Sequence, residues 1–122
     1  MNTHKIAIIN GDGIGHEIVP AALEVLKATS RKHQFQIETE HFPYGAGHYL
    51  QTGAFLPEDG MSKLKAYDAL LFGAVGLPEV DDRLPFKMFT NAVRVAFQQY
   101  VNYRPVKLFQ GIDSPLRNKT TE

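Results

Sequence analysis

Three short segments of the chain have the hydrophobic pattern of a β-strand. Residues 6–9 are almost all β-branched and stop at a glycine cluster, which is typical of a strand buried on both faces of a parallel sheet. Residues 35–40 alternate apolar with polar side chains and predict a second, less buried strand. Residues 68–72 predict a third strand, which also ends in a glycine-rich loop.

Apolar residues recur at helical spacing between and after these runs. Residues 17–32 predict a helix from the following apolar positions: Ile18, Ala21, Ala22, Val25, Leu26 and Ala28. Residues 57–67 predict a short helix with Met61 and Leu64 turned inward. A further amphipathic helix after the third strand is expected to have these residues on its inner face: Phe89, Ala92, Val93, Ala96, Phe97 and Tyr100.

The alternation of strands with helices indicates βαβ units. We therefore expect an α/β fold with a mainly parallel sheet and flanking helices. Residues 100–108 are expected to be extended, and Pro105 limits them to an edge or irregular strand because proline has no N–H to donate. Residues 111–122 have no apolar period, and we expect them to be a linker that stops before its next element.

Composition and charge restrict the class of protein. Thirteen basic and thirteen acidic residues cancel, so no charge excess favours binding to nucleic acid or to a membrane. The chain has no cysteine, which excludes disulfides, thiolate metal sites and a cysteine nucleophile. No apolar run has the length of a membrane span or a signal peptide. From its 122 residues we expect one soluble, folded domain in the cytoplasm.

Two glycine-rich loops follow predicted strands and are candidates for binding a ligand. Residues 11–15 precede a helix, whose amino terminus favours anions. His16 stands where the dinucleotide fingerprint requires a glycine. Residues 11–15 can therefore be interpreted either as a tight turn or as an anion-binding loop. Residues 73–76 follow another strand, and ligands of open α/β sheets bind outside the carboxyl ends of strands. The two loops therefore either flank one crevice or are ordinary connections.

Two arginines stand in apolar surroundings, where a surface arginine is less common. Arg94 lies between Val93 and Val95 on a predicted helix, and Arg104 lies in an extended apolar stretch before Pro105. A guanidinium group binds carboxylates through two parallel hydrogen bonds and stays charged at physiological pH. The sequence allows two interpretations of these arginines: they bind a carboxylate, or they are ordinary exposed surface residues.

With these motifs in order, the sequence resembles a known family. Residues 6–17 resemble the opening of the β-decarboxylating dehydrogenases, which include isopropylmalate, isocitrate and tartrate/D-malate dehydrogenases. Residues 71–78, Arg94 with its helix, and residues 100–106 match further family segments in the same order. The resemblance implies an isocitrate/isopropylmalate dehydrogenase-like α/β fold and a homo-oligomer. It also implies that residues 1–99 are the amino-terminal part of the first domain and that residues 100–122 cross into a second domain.

The resemblance further implies an enzyme that oxidises a small 2-hydroxy diacid with NAD, or with NADP, and then removes a carboxylate as carbon dioxide. Arg94 and Arg104 match arginines that bind the substrate's carboxylates. The nicotinamide end of the cofactor site is matched by Ile14, Gly73, Ala74, Val75 and Gly76. The catalytic tyrosine and lysine and the ligands of Mg²⁺ or Mn²⁺ are expected after Glu122. We therefore expect no catalytic or metal-binding residue in this chain, and no activity of the isolated 122 residues.

The substrate group is indicated by the residues that precede Arg94. Isopropylmalate enzymes have a glutamate and two leucines there to pack an isopropyl group, whereas this chain has Lys87, Thr90 and Asn91. Residues 97–102 and 114–116 are most similar to the tartrate/D-malate group, although that group has an Asp-His pair where this chain has Asp82-Arg83. The alternatives are a non-catalytic α/β module that binds an anion or nucleotide at residues 11–15, and a regulatory subunit that kept the fold.

Overall fold

Helices and strands alternate along the chain up to residue 96 in the computed structural model, which describes residues 2–117. The first six elements are β1 (Thr3–Gly11), α1 (Gly15–His33), β2 (Gln36–His41), α2 (Ala46–Thr52), α3 (Gly60–Leu64) and β3 (Ala69–Ala74). A helical segment follows, made of α4 (Arg83–Pro85), a π-helical stretch (Phe86–Thr90) and α5 (Asn91–Ala96). The predicted α/β class is confirmed. No helix within residues 2–117 has the length and apolar character to cross a bilayer.

The sheet has three parallel strands in the order β2-β1-β3. β1 is the central strand, and its residue Ile6 pairs with Thr39 of β2 and with Ala69 of β3. Towards the carboxyl end, Ile9 pairs with Phe72 and Gly11 pairs with Ala74. Because the strands are parallel, the loops that follow β1 and β3 leave the sheet at the same edge.

Apolar side chains cover both faces of β1, as the sequence predicts. Ile6 and Ile8 pack with Val19 and Leu23 of α1 on one face. Ala7 and Ile9 point to the opposite face, where the buried cluster also contains Phe42, Tyr44, Ala46, Phe55, Leu64, Val80 and Phe89. Alternate residues of a strand point to opposite faces, so the central strand has one hydrophobic layer on each side.

The observed α1 matches the predicted helix in extent but buries a different stripe. Val19 and Leu23 are buried with Leu26 packed beside them, while Ile18 and Val25 are exposed. Val19, Leu23 and Leu26 are spaced four and three apart, and Leu26 alone of them is in the predicted set, half of which is alanine. Turning Val19 and Leu23 towards the sheet instead of Ala21 and Ala28 removes more apolar surface from water.

The chain after α5 differs from its prediction. The expected inward position of Tyr100 is wrong: the side chain is 96% exposed, because the helix ends at Ala96 and Gln98 takes a left-handed φ of 54°. The strand expected at residues 100–108 is also absent, since residues 99–117 contain no helix or strand. Residues 111–117 of the expected linker contain no helix or strand, in agreement with the prediction, and residues 118–122 lie outside the described residues.

Candidate functional site

The two glycine-rich loops lie next to each other at the carboxyl edge of the sheet. Gly11 and Ala74 are partners in the β1–β3 ladder. Immediately after this pair, the Asp12 backbone N–H donates a hydrogen bond of 2.8 Å to the Ala74 carbonyl oxygen. The structure therefore brings together residues 11–15 and 73–76, as the first of the two alternatives for these loops requires.

Close contact between backbones requires glycine at three positions of these loops. Gly11 has a φ of 71°, and a Cβ there would overlap the Ala74 carbonyl oxygen. A Cβ on Gly15 would overlap the Asn10 carbonyl oxygen and lie 3.0 Å from the Ala74 nitrogen. A Cβ on Gly73 would lie 2.8 Å from Cγ2 of Val19. Tight packing of β1, α1 and β3 thus explains these glycines without a ligand.

Asp12 connects three separate loops through its carboxylate, although its side chain is only 6% exposed. Oδ2 accepts hydrogen bonds from the N–H groups of Ala46, at 2.7 Å, and Gly76, at 3.1 Å. Oδ1 accepts a hydrogen bond of 2.8 Å from the N–H of Gly47. Sequence reasoning missed this residue, because its donors come from positions far along the chain. An acidic residue between two glycines at the end of a buried strand was the feature available.

The residues predicted to contact a cofactor are accessible. Ile14 lies immediately before α1 and is 62% exposed, which is unusual for an isoleucine beside a buried strand. Residues 73–76 are half-buried. Gly76 has a φ of 140°, and a Cβ there would have no neighbour within 4 Å. Ile14 and the outer part of the second loop therefore have open space beside them.

A cavity of about 200 Å³ lies beside Arg94 on the face of the sheet opposite α1. Its lining includes Ile9, Phe72, Phe89, Thr90 and Gln99. The Ile9–Phe72 pair precedes the Gly11–Ala74 pair by two residues, which is about 7 Å along the strands. The cavity therefore lies close to the edge of the sheet where the two loops meet.

Arg94 is half-buried and has no carboxylate partner among residues 2–117. Its helix is held to the sheet by Phe89, whose ring centroid lies 5.1 Å from that of Phe72. A partly desolvated guanidinium group with free donors attracts anions more strongly than one in bulk water. This arrangement suits the binding of a carboxylate.

Arg104 stands apart from this cavity in the structure. It is exposed on the segment after α5, it does not line the cavity beside Arg94, and no hydrogen bond or ion pair joins it to another described residue. The structure thus brings Arg94 close to the two loops and leaves Arg104 outside that group.

Acidic residues near the helical segment do not form a metal site within the described part of the chain. No group of three or more His, Asp or Glu side chains among residues 2–117 is arranged to hold a metal ion. At the start of α4, the Arg83 guanidinium donates to Asp81 in the preceding loop at 2.6 Å and lowers the pKa of that carboxyl. Both side chains are exposed, so this pair adds little to stability.

A second polar cleft lies on the β2 side of the same edge. One part, of about 350 Å³, is lined by Asn10, His16 and His41, among others. Oδ1 of Asn10 is buried and has no hydrogen-bond partner among the described residues. The neighbouring part includes Tyr44, and burial raises the pKa of its phenol. Gly11 and Asp12 of the first candidate loop line this cleft, whereas Ile14, residues 73–76, Arg94 and Arg104 do not.

Known proteins match the chain along nearly its whole length. The sequence model of the isocitrate/isopropylmalate dehydrogenase family matches residues 5–122. A probable tartrate dehydrogenase/decarboxylase from Agrobacterium vitis is 44% identical over 119 residues, which are 97% of this chain and 33% of that protein. A 3-isopropylmalate dehydrogenase from Bifidobacterium longum is 46% identical over 117 residues, which are 95% of this chain and 34% of that protein.

A solved structure shares the fold. The apo crystal structure of a beta-decarboxylating dehydrogenase from Thermococcus kodakarensis superposes with a TM-score of 0.60 and 30% sequence identity, over 78% of this chain and 27% of that chain. This chain spans about a third of the length of the curated relatives it matches. The resemblance seen in residues 6–17, 71–78 and 100–106 is thereby confirmed.

Proposed function

Because the chain belongs to the isocitrate/isopropylmalate dehydrogenase family, we propose that it is the amino-terminal part of an NAD- or NADP-dependent oxidoreductase. The whole protein oxidises a 2-hydroxy diacid of the tartrate/D-malate type and removes one carboxylate as carbon dioxide. The observation that carries this proposal is the junction of residues 11–15 and 73–76 at one sheet edge, with the Arg94 cavity about 7 Å away along β1 and β3.

In this proposal the chain binds and orients its ligands. Ile14 and residues 73–76 contact the nicotinamide end of the dinucleotide, which supplies the hydride acceptor. Arg94 binds a substrate carboxylate, and Arg104 binds a second one in the whole protein. Two guanidinium groups on one diacid fix its orientation and stabilise negative charge that develops as the carboxylate leaves. Residues outside this chain hold Mg²⁺ or Mn²⁺. The groups that transfer protons also belong to residues outside this chain.

The choice of a polar diacid rests on the side chains around Arg94. Thr90 lines the cavity beside Arg94, while Lys87 and Asn91 are exposed on the same helical segment. These three polar side chains stand where isopropylmalate enzymes have a glutamate and two leucines, and a threonine hydroxyl can hydrogen-bond to a hydroxy acid. The residues lie on or next to a π-helical stretch, a feature frequent at functional sites. The tartrate dehydrogenase/decarboxylase relative supports this choice.

A second candidate is the oxidation of 3-isopropylmalate, which the relative from Bifidobacterium longum favours with 46% identity. A test needs the full-length protein, NAD and NADP in turn, Mn²⁺ or Mg²⁺, and a panel of tartrate, D-malate, isocitrate and 3-isopropylmalate. Reduction of the dinucleotide and release of carbon dioxide are followed together. We expect the highest kcat/KM with tartrate or D-malate. A higher kcat/KM with 3-isopropylmalate would replace the first candidate by the second, and no turnover of any diacid would refute both.

The remaining parts of the proposal concern organisation. We propose that residues 1–99 belong to the first domain, that residues 100–122 cross into the second, and that the whole protein is a cytoplasmic homo-oligomer. Exposed apolar side chains on the segment after α5, including Tyr103, Val106 and Phe109, support burial of this segment by further protein.

A further inference from the structure

The Asp12 carboxylate is buried without a cation among the described residues, and its charge is compensated by backbone N–H groups alone. A buried carboxylate is unfavourable unless it accepts hydrogen bonds, and Asp12 accepts three from backbone amides, at 2.7, 2.8 and 3.1 Å. Two of the three donors, Ala46 and Gly47, begin α2, where the partial positive charge of the helix end adds to the effect. The third, Gly76, ends the loop that follows β3.

All three partners are donors, which explains why an acid and not an amide occupies this position. Asparagine has one acceptor oxygen and one NH₂ group, so at least one backbone N–H would face another donor. Gly45 leaves room for the Asp12 carboxylate, because a Cβ on Gly45 would lie only 2.8 Å from Oδ2 of Asp12. The pocket around the carboxylate is therefore shaped for a negative charge.

The position of Asp12 links both halves of the proposed cofactor site. Asp12 is two residues from Ile14, its backbone N–H binds the Ala74 carbonyl oxygen, and its side chain binds the Gly76 N–H. A shift of this residue would move the loop of residues 73–76 relative to Ile14. Gly76 itself has a φ of 140°, and a Cβ there would have no neighbour within 4 Å.

We propose that Asp12 is a positioning residue: its carboxylate fixes the loop of residues 73–76 against the residues before α1 and so sets dinucleotide affinity. This inference rests on the proposed function, and it assigns Asp12 no contact with substrate or cofactor. A merely structural Asp12 would affect stability without changing the affinity of the folded protein for the dinucleotide.

The test compares Asp12→Asn, Asp12→Ala and a control in the full-length protein. Asp68→Asn is the matched control, because Asp68 also accepts a backbone hydrogen bond, 2.8 Å from the Lys5 nitrogen, at the opposite end of β1 and β3. Two properties are measured: amide hydrogen exchange of peptides covering residues 45–47 and 73–76, and the Kd for NAD⁺ and NADP⁺ by calorimetry. Circular dichroism checks the folding of each variant. If Asp12→Ala does not fold, the test rests on Asp12→Asn, which keeps the side-chain volume.

We expect both Asp12 variants to exchange faster in both peptides and to raise the dinucleotide Kd by about tenfold, with the larger effect for Asp12→Ala. Asp68→Asn should change neither property. Unchanged exchange at Gly76, or faster exchange with an unchanged Kd, would overturn the inference. If the wild-type protein itself binds neither dinucleotide, both the proposed function and the inference fail. If wild type and variants bind the dinucleotide equally well, the inference alone fails.

Discussion

Gly15 offers the sharpest test of how the candidate site is built. It is the first residue of α1, and a Cβ added there would lie 1.9 Å from the carbonyl oxygen of Asn10 and 3.0 Å from the backbone nitrogen of Ala74. A methyl group at this position would have to move about 1 Å or more away from the Asn10 oxygen to reach an ordinary contact distance. Both neighbours are backbone atoms of paired strands, so neither can give way as a flexible side chain would.

The magnitude follows from these contacts and from a matched variant in the same loop. Overpacking typically costs 1–3 kcal/mol, and a rigid backbone neighbour puts Gly15→Ala at about 3 kcal/mol. Gly13 has a φ of 51° but no atom within 4 Å of an added Cβ, so Gly13→Ala has only the left-handed strain of about 1 kcal/mol. The two substitutions add the same methyl group two residues apart, and packing predicts very different costs.

Thermal unfolding of the full-length variants measures the difference. Gly15→Ala should lower the Tm about three times as much as Gly13→Ala, where 1 kcal/mol corresponds to roughly 2–4 °C for 150–250 residues and to less for a longer chain. A Gly15→Ala protein as stable as Gly13→Ala would refute the reasoning that these glycines are required by backbone contact between β1, α1 and β3.

Arg94→Lys and Arg104→Lys in the full-length protein should each lower kcat/KM for the diacid by about 10²-fold, or about 2.7 kcal/mol, because lysine cannot form the paired hydrogen bonds; unchanged steady-state kinetics would contradict this. Tyr67 donates a hydrogen bond to Glu40, which raises the pKa of this phenol to about 12, so Glu40→Ala should return it towards 10.0 in an absorbance titration while the neighbouring Glu38→Ala should not. A polypeptide of these 122 residues alone should associate at roughly micromolar concentrations, since β3 pairs on one side only within residues 2–117, and a stable monomer in sedimentation would count against this.

The central strand β1 was predictable because its burial is visible in the local pattern. Residues 6–9 are apolar at every position, and the structure buries them from both faces of the sheet. The short α2 was missed, because residues 43–47 contain a proline and two glycines that indicate a turn. What starts α2 is the distant Asp12 carboxylate, which accepts the first N–H groups of the helix. No local pattern contains that contact.

The end of the last helix shows a different limit of sequence reasoning. Tyr100 continues the apolar period of Phe89, Val93 and Ala96, but a period does not show where a helix stops. In the structure Gln98 takes a left-handed φ without being a glycine, and the chain leaves the helix there. For the candidate site, the pattern located the two loops and Arg94, whereas their relation depends on parallel pairing between β1 and β3.

The glycines of the two loops separate into two groups with different physical reasons. Gly11, Gly15 and Gly73 are in contact with backbone or core atoms, so packing alone requires them. Gly13 and Gly76 have open space where a side chain would be, so packing gives no reason for glycine there beyond the positive φ. The turn and the ligand-binding loop are therefore not competing descriptions: the first group draws the strand ends together, and this leaves the second group at the surface, where a ligand can approach the backbone.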